Sequence, residues 1–292
     1  MNRLAILMVL AMMLWGGGWP ALKILTHDVP WEVVTFWRFA LMSIAFLPIL
    51  WWYKKPLGLS PKGLGWVSIS AVLNALFMML SFWGVEAGTA GAGGVIITTL
   101  SPVLTVIIAM VLFRMKPAWN HIAGLAIGLA GGLVMVEIWN SELLMEGGNL
   151  IFVLSAFVWA MLTLSAQRSH LHADPLHYTF FLGLIATFIM FPLAYPNGIE
   201  KVFEQDTRFW AALIYLAVLG QTVASTIYFI ASGKMGSGHA SSYMFLVPLF
   251  ALALSHILLG EVPSSYLVWG GLISMSAVYL INARFKKKSA HG

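Results

Sequence analysis

Trp15, Trp19 and Lys23 are spaced by four residues, so one helix face presents two indoles and an ammonium. Indoles stack on flat or apolar bodies and an ammonium holds a carboxylate, which is the chemistry of a binding wall for a solute. Lys23 also stands about 29 Å along a helix begun at Leu4, a position that suits an interfacial anchor with its charge turned outward. Arg38 is a second cation, set inside the apolar run VVTFWRFALM, about 12 Å deep if the membrane begins near Pro30. A guanidinium at that depth needs partners, which are either a solute or free backbone carbonyls of a broken neighbour such as the Gly16, Gly17, Gly18 run. Asn74 and Gln221 are amides in the middle of apolar runs, where such groups either touch a solute or tie helices together. Ser225 and Tyr228 follow Gln221 along one stripe, and Ser155, Trp159 and Thr163 form a counterpart of the Trp15 face. Pro102 and Pro248 each interrupt an apolar run, removing one backbone hydrogen bond, and act as hinges or as static bends.

These residues do not assemble an enzyme. The three aspartates, at 28, 174 and 206, all fall between apolar runs, there is no cysteine and no H-E-x-x-H, and no nucleophile stands beside a base. The histidines at 170, 172 and 177 match no metal-ligand spacing and are expected in a solvated loop. The Gly88 to Gly94 cluster lacks the Lys-Ser/Thr ending of a phosphate loop and is expected to be a tight turn. Metal and cofactor are therefore not expected. A net charge of +5 and a pI near 9.5 would suit nucleic acid, but the basic residues sit in short gaps between apolar runs, so no nucleic-acid partner is expected either.

The elements that must position the candidate residues are membrane spans. With 60% hydrophobic residues, 9% charged and a mean hydropathy of +0.87, the chain cannot cover a soluble surface. On a ruler of about 20 apolar residues per helix there are ten spans, near 4–24, 32–52, 63–85, 88–112, 118–138, 148–168, 176–195, 209–232, 238–259 and 264–283. The start imitates a signal peptide, yet the apolar run continues through Leu25 with no cleavage motif, so it is expected to stay as the first span. Ten spans put both termini on one side. That side then carries all of the 16 basic residues except Lys23, Lys201 and Arg208 opposite and Arg38 within a span, and among the acids it carries Asp174 alone. This asymmetry places the termini in the cytoplasm.

A constant shift of 146 superposes Ala87–Val136 on Gly233–Asn282, bringing Pro102 onto Pro248, Pro117 onto Pro263 and Gly124 onto Gly270. At 144, Trp15 falls on Trp159 and Pro48 on Pro192. Five spans per repeat is an odd number, so the halves enter the membrane from opposite sides. The expected fold is an all-α integral membrane protein of two inverted five-helix repeats, 1–140 and 146–284, with a basic cytoplasmic tail at 285–292 and a central cavity between the halves.

The motifs LWGGGWPALK (Leu14 to Lys23), WRF (Trp37 to Phe39), SPVLT (Ser101 to Thr105) and VPLFALALSHILLGE (Val247 to Glu261), with the Gly-rich fifth span, make the chain resemble the drug/metabolite transporter superfamily and, within it, the EamA family. The resemblance covers nearly the whole length. It implies that helices 1, 3, 4, 6, 8 and 9 surround the cavity while helices 5 and 10 lie at the periphery. It also implies a Glu after helix 4 as well as after helix 9, but Met115 stands where the twin of Glu261 would be. Among members the chain looks most like bacterial inner-membrane exporters of amino acids, including the aromatic amino-acid exporter type, with exporters of cationic drugs, nucleosides or sugars as alternatives. The implied partners are a small-molecule substrate and membrane lipid. Gly124, Gly128 and Gly132 form two small-xxx-small steps, which serve packing inside the chain or a homodimer seam, leaving monomer or weak homodimer open. No Asp or Glu lies well inside a span, so facilitated diffusion or exchange is expected, with His256 and Glu86 as the remaining proton carriers.

Overall fold

A bilayer interior offers no water to backbone amides, so an apolar chain must satisfy its hydrogen bonds within each span. The computed structural model describes residues 3–25, 29–55, 58–87, 90–135, 137, 139, 148–259 and 264–282, and among these it contains helices and no strand. The helices are α1 (Arg3–Leu25), α2 (Trp31–Tyr53), α3 (Pro61–Ala87), α4 (Ala90–Phe113), α5 (Trp119–Met135), α6 (Gly148–Ser169), α7 (Pro175–Ala194), α8 (Thr207–Met235), α9 (237–259) and α10 (Ser265–Asn282). Nine are long and apolar enough to cross a membrane, and the tenth, α5, has 17 residues, at the short end of what a bilayer core needs. Glu261, Pro263 and the tail at 285–292 lie outside the described residues.

The packing has the symmetry of inverted repeats. α6 lies between α3 and α4, and its counterpart α1 lies between α8 and α9; α2 packs on α7 and α5 on α10, each helix against its own equivalent. Small residues allow the closest approaches. A Cβ on Gly16 would stand 2.8 Å from the Ala251 backbone nitrogen, so α1 and α9 meet there nearly backbone to backbone. Gly124 packs on Ile281 and Ala277 of α10, Gly128 on Phe245 of α9 and Gly132 on Thr99 of α4. The small-residue stripe of α5 is thus used inside the chain.

Exposed Trp and Tyr residues lie at two levels of the bundle. Trp51, Trp52, Trp119 and Tyr279 lie at helix ends on the side of the termini, and Trp139, Tyr195, Tyr266 and Trp269 at the opposite end. Such belts mark the two membrane–water interfaces. At the termini end the α6–α7 connection docks on the end of α2. Asp174 caps α7, accepting from Leu176 N at 3.0 Å ahead of Pro175, and its second oxygen accepts from Tyr53 Oη at 2.8 Å and Lys55 Nζ at 3.0 Å. Burial pushes the Asp174 carboxyl up, but these hydrogen bonds outweigh it and hold it below its ordinary value.

Two sequence expectations are corrected here. Gly93 and Gly94 belong to the start of α4, not to a turn: a Cβ on Gly93 would lie 2.5 Å from the Phe152 ring of α6 and one on Gly94 3.1 Å from the Trp19 ring of α1, so these glycines serve α4–α6 and α4–α1 packing, while Gly88 lies outside the described residues. His177 is not in a solvated loop. It sits in the first turns of α7, 4% exposed, edge-on to Tyr53 with ring centroids 6.1 Å apart.

Candidate solute-binding site

A cavity of about 120 Å³ lies between the halves, lined from α1 by Leu14, Trp15, Gly18, Trp19 and Leu22, from α2 by Arg38 and from α3 by Phe77, Met78, Ser81 and Phe82. Ile97 and Thr98 of α4, Trp159 of α6, Leu216, Gly220 and Gln221 of α8, and Met244 and Val247 of α9 complete it. Most of these residues come from the helix halves remote from the termini, so the cavity is displaced toward that end of the bundle. Small-molecule sites usually enclose about 300–1,000 Å³, so this one is contracted and its walls must part to admit a solute.

The floor is aromatic. Trp15 and Trp159 meet edge to face with centroids 5.2 Å apart, and Tyr228 lies 4.9 Å from Trp15 and 5.8 Å from Trp159. Phe77 adds a fourth ring, 4.6 Å from Trp159. Their polar atoms are engaged: Trp15 Nε1 donates to the Gly220 carbonyl at 3.1 Å, Trp159 Nε1 to Met244 Sδ at 3.2 Å, and the Tyr228 hydroxyl pairs with Thr163 at 2.9 Å. What the indoles offer a solute is therefore ring surface. Below the floor the termini side is closed by bonded helices: Ser70 to Ser165 at 2.7 Å joins α3 to α6 across the halves, and within the second half Ser232 of α8 donates to the Thr163 carbonyl of α6 at 2.9 Å.

The helices that deliver these groups are locally irregular. Within α8, Tyr215–Ala224 is a π-helix, a form that concentrates at functional sites. Thr222 and Ser225 hydroxyls donate five residues back, to Ala217 and Gly220 carbonyls at 3.0 and 3.2 Å, and Gln221 Oε1 also accepts from Ser225. α1 crosses this stretch closely, with Tyr215 Oη bonded to the Leu14 carbonyl at 3.0 Å. In α9, a 3-10 turn at Tyr243–Leu246 precedes Pro248.

Residues 2–137 and 146–283 each match the EamA-like transporter family. The chain belongs to that family. Similar proteins include an uncharacterized transporter of Archaeoglobus fulgidus, 25% identical over 97% of this chain and 98% of its own length. A probable terminal-alkyne amino-acid exporter of Streptantibioticus cattleyicolor is 25% identical over 95% of this chain and 92% of its own length. A probable amino-acid metabolite efflux pump of Escherichia coli is 22% identical over 94% and 93%. A solved crystal structure superposes with a TM-score of 0.75 at 15% identity, covering 96% of each chain, which shows the shared fold. This EamA chain is thus a multi-pass membrane transporter, with its cavity at the seam of the two matched repeats.

Of the residues singled out from sequence, Trp15, Trp19, Arg38, Trp159 and Gln221 line the cavity and Tyr228 underlies its floor. Asn74, 3% exposed on α3, is not among the lining residues, and neither are Pro102 and Pro248. Lys23 is on α1, and its side chain lies outside the described residues. The cavity helices are those the EamA resemblance implies, with α2 added through Arg38. Sequence reasoning missed Phe77, Ser81, Thr98 and Met244. Thr98 and Met244 are mates at the 146-residue shift and both line the cavity, so the repeat itself held the signal.

Proposed function

We propose that this protein is a secondary transporter that exports small metabolites, neutral or aromatic amino acids first among them, across the bacterial inner membrane by alternating access. The observation that carries the reading is a ring-walled cavity at the interface of two inverted repeats, with the Ser70–Ser165 bond between the halves on its termini side. Inverted-repeat carriers place their solute there and expose it to each side by rocking one half on the other. The names of the amino-acid exporter and efflux-pump relatives support the same solute class. Trp15, Trp19, Trp159, Gln221 and Tyr228 form or support the wall, Asn74, one turn of α3 from the lining residues Phe77 and Met78, and Lys23, next to the lining residue Leu22 in sequence, are further solute contacts, and Pro102 and Pro248 are the hinges. The repeats span 1–140 and 146–284, with both termini cytoplasmic, so the cavity in this structure leans to the outside.

The test is uptake and counterflow in proteoliposomes over amino acids, nucleosides and organic cations. Saturable movement of large neutral amino acids is expected, and selective movement of organic cations would overturn the reading. Orientation is checked in this Cys-free chain: a cysteine at Ser141 should label from outside and one at Ser289 should not.

A further inference from the structure

We infer that Arg38 is the anion anchor of the cavity and that the solutes are apolar monocarboxylates, read by their carboxylate whether or not they carry an ammonium. The inference rests on the cavity being the transport site and deepens that reading from amino acids to a chemical class that contains them.

Arg38 is 8% exposed, on α2, and forms part of the cavity wall. A guanidinium carries five N–H donors, and a buried cation is costly unless it is paired. Among the described residues its hydrogen-bond partner is Met78 Sδ, 3.4 Å from Nη1, a weak and uncharged acceptor, while Nε is buried with no partner. The alternative expected from sequence, that Arg38 serves the carbonyls of Gly16 to Gly18, is not what these bonds show. No carboxylate is among the described residues that line the cavity. The described ion pair, Lys55 with Asp174, stands at the end of α2 remote from Arg38. Glu86 is exposed near the end of α3 and does not line the cavity.

Charge and shape therefore agree in the site. A planar guanidinium with free donors matches a carboxylate in two parallel bonds. In the same cavity, the Trp15, Phe77 and Trp159 rings accept an apolar or aromatic body. An ammonium meets no anion in the described lining, and it shares the cavity with a cation that repels it. Removing the amino group from a solute should then cost little, whereas removing the carboxylate should abolish recognition.

The experiment is proteoliposome transport by the full chain with three probes of one shape: phenylalanine, phenylpyruvate and phenethylamine. Labelled phenylalanine and labelled phenylpyruvate should both move, each competing for the other within about threefold, and phenethylamine should compete at least about tenfold more weakly. Arg38→Gln should erase that tenfold preference for the carboxylate. Arg38→Lys, which keeps a point charge, should retain part of it, a pattern that a merely structural Arg38 would not give. Equal competition by phenethylamine, or an unchanged preference in a folded Arg38→Gln, overturns the inference. If the Arg38 variants fail to insert, the probe series on the unaltered protein decides alone. Movement of phenylalanine without phenylpyruvate overturns the inference and leaves the amino-acid reading standing. Movement of phenylpyruvate without phenylalanine overturns the amino-acid reading and, with it, the claim that an ammonium is tolerated, and movement of neither overturns both.

Discussion

α4 and α9 hold equivalent places in the two repeats and carry equivalent prolines, Pro102 and Pro248, but they respond differently. α4 runs as one α-helix through Pro102, whereas α9 tightens into a 3-10 turn at Tyr243–Leu246 before Pro248. A proline frees the carbonyl four residues earlier and crowds it, and what happens next depends on the neighbours. In α4 the hydroxyls of Thr98, Thr99, Ser101 and Thr105 each donate four residues back, at 2.6, 2.7, 2.5 and 2.7 Å. At the 146-residue shift these positions become Met244, Phe245, Val247 and Ala251, none of which can donate from its side chain. The same contrast holds for α3, one unbroken α-helix, against α8 with its π-helical Tyr215–Ala224. The first half is the regular one, and the second carries the deformable turns against the cavity.

The most disruptive way to test that contrast is steric. Gly93 has the Phe152 ring 2.5 Å from where its Cβ would be, while its mate His239 fits an imidazole beside His121 with ring centroids 4.8 Å apart. Gly93→Leu should lower stability by about 3 kcal/mol through overpacking, and His239→Leu by about 1 kcal/mol, read by thermal unfolding in detergent. Similar losses at both positions would mean the halves are equally tight.

Next in size is the hydroxyl ladder. Thr98→Val with Ser101→Ala should cost about 2 kcal/mol, since each hydrogen bond contributes about 0.5–1.5. In a Pro102→Ala background the cost should be unchanged, because these hydroxyls bond the Gly94 and Ile97 carbonyls and not the Thr98 carbonyl that Pro102 frees. A cost that fell in that background would couple the hydroxyls to the proline. On the other side, Pro248→Ala should regularise α9 and slow counterflow by about tenfold if the turn moves in transport.

How far the sequence reached follows from the same residues. The length of the apolar runs placed the ten helices, because the length of a span is set locally by the bilayer. The repeat paired Trp15 with Trp159, which meet in the structure. The π segment was not legible, since nothing in YLAVLGQTVA breaks an α-helix and its widening accompanies tertiary bonds from Trp15 and to Leu14. Gly93 and Gly94 read as a turn because a glycine that admits Phe152 or Trp19 looks, in sequence, like one that bends the chain.

A smaller effect is expected in α8. Thr222→Val and Ser225→Ala each remove a bond reaching five residues back and should cost about 1 kcal/mol, with transport rate changing more than affinity. The smallest concerns pH. Because Asp174 titrates below its ordinary value of 3.8, its contribution is complete above that value and is lost as pH falls through the lower folded-state value. Asp174→Asn should flatten the acid limb of thermal stability, and an unchanged limb would place the acid-sensitive group elsewhere.

The most direct test of the transport cycle uses single cysteines on either side of the aromatic floor. Ser81 lines the cavity and Ser232 lies buried beneath the floor, bonded to the Thr163 carbonyl. With no native cysteine in the chain, Ser81→Cys and Ser232→Cys report cleanly to a small thiol reagent in oriented vesicles. Alternating access predicts that Ser81→Cys reacts and Ser232→Cys is protected in the state described, and that saturating solute on the termini side raises the second rate while lowering the first. Simultaneous reactivity of both positions, or rates that solute leaves unchanged, would contradict it.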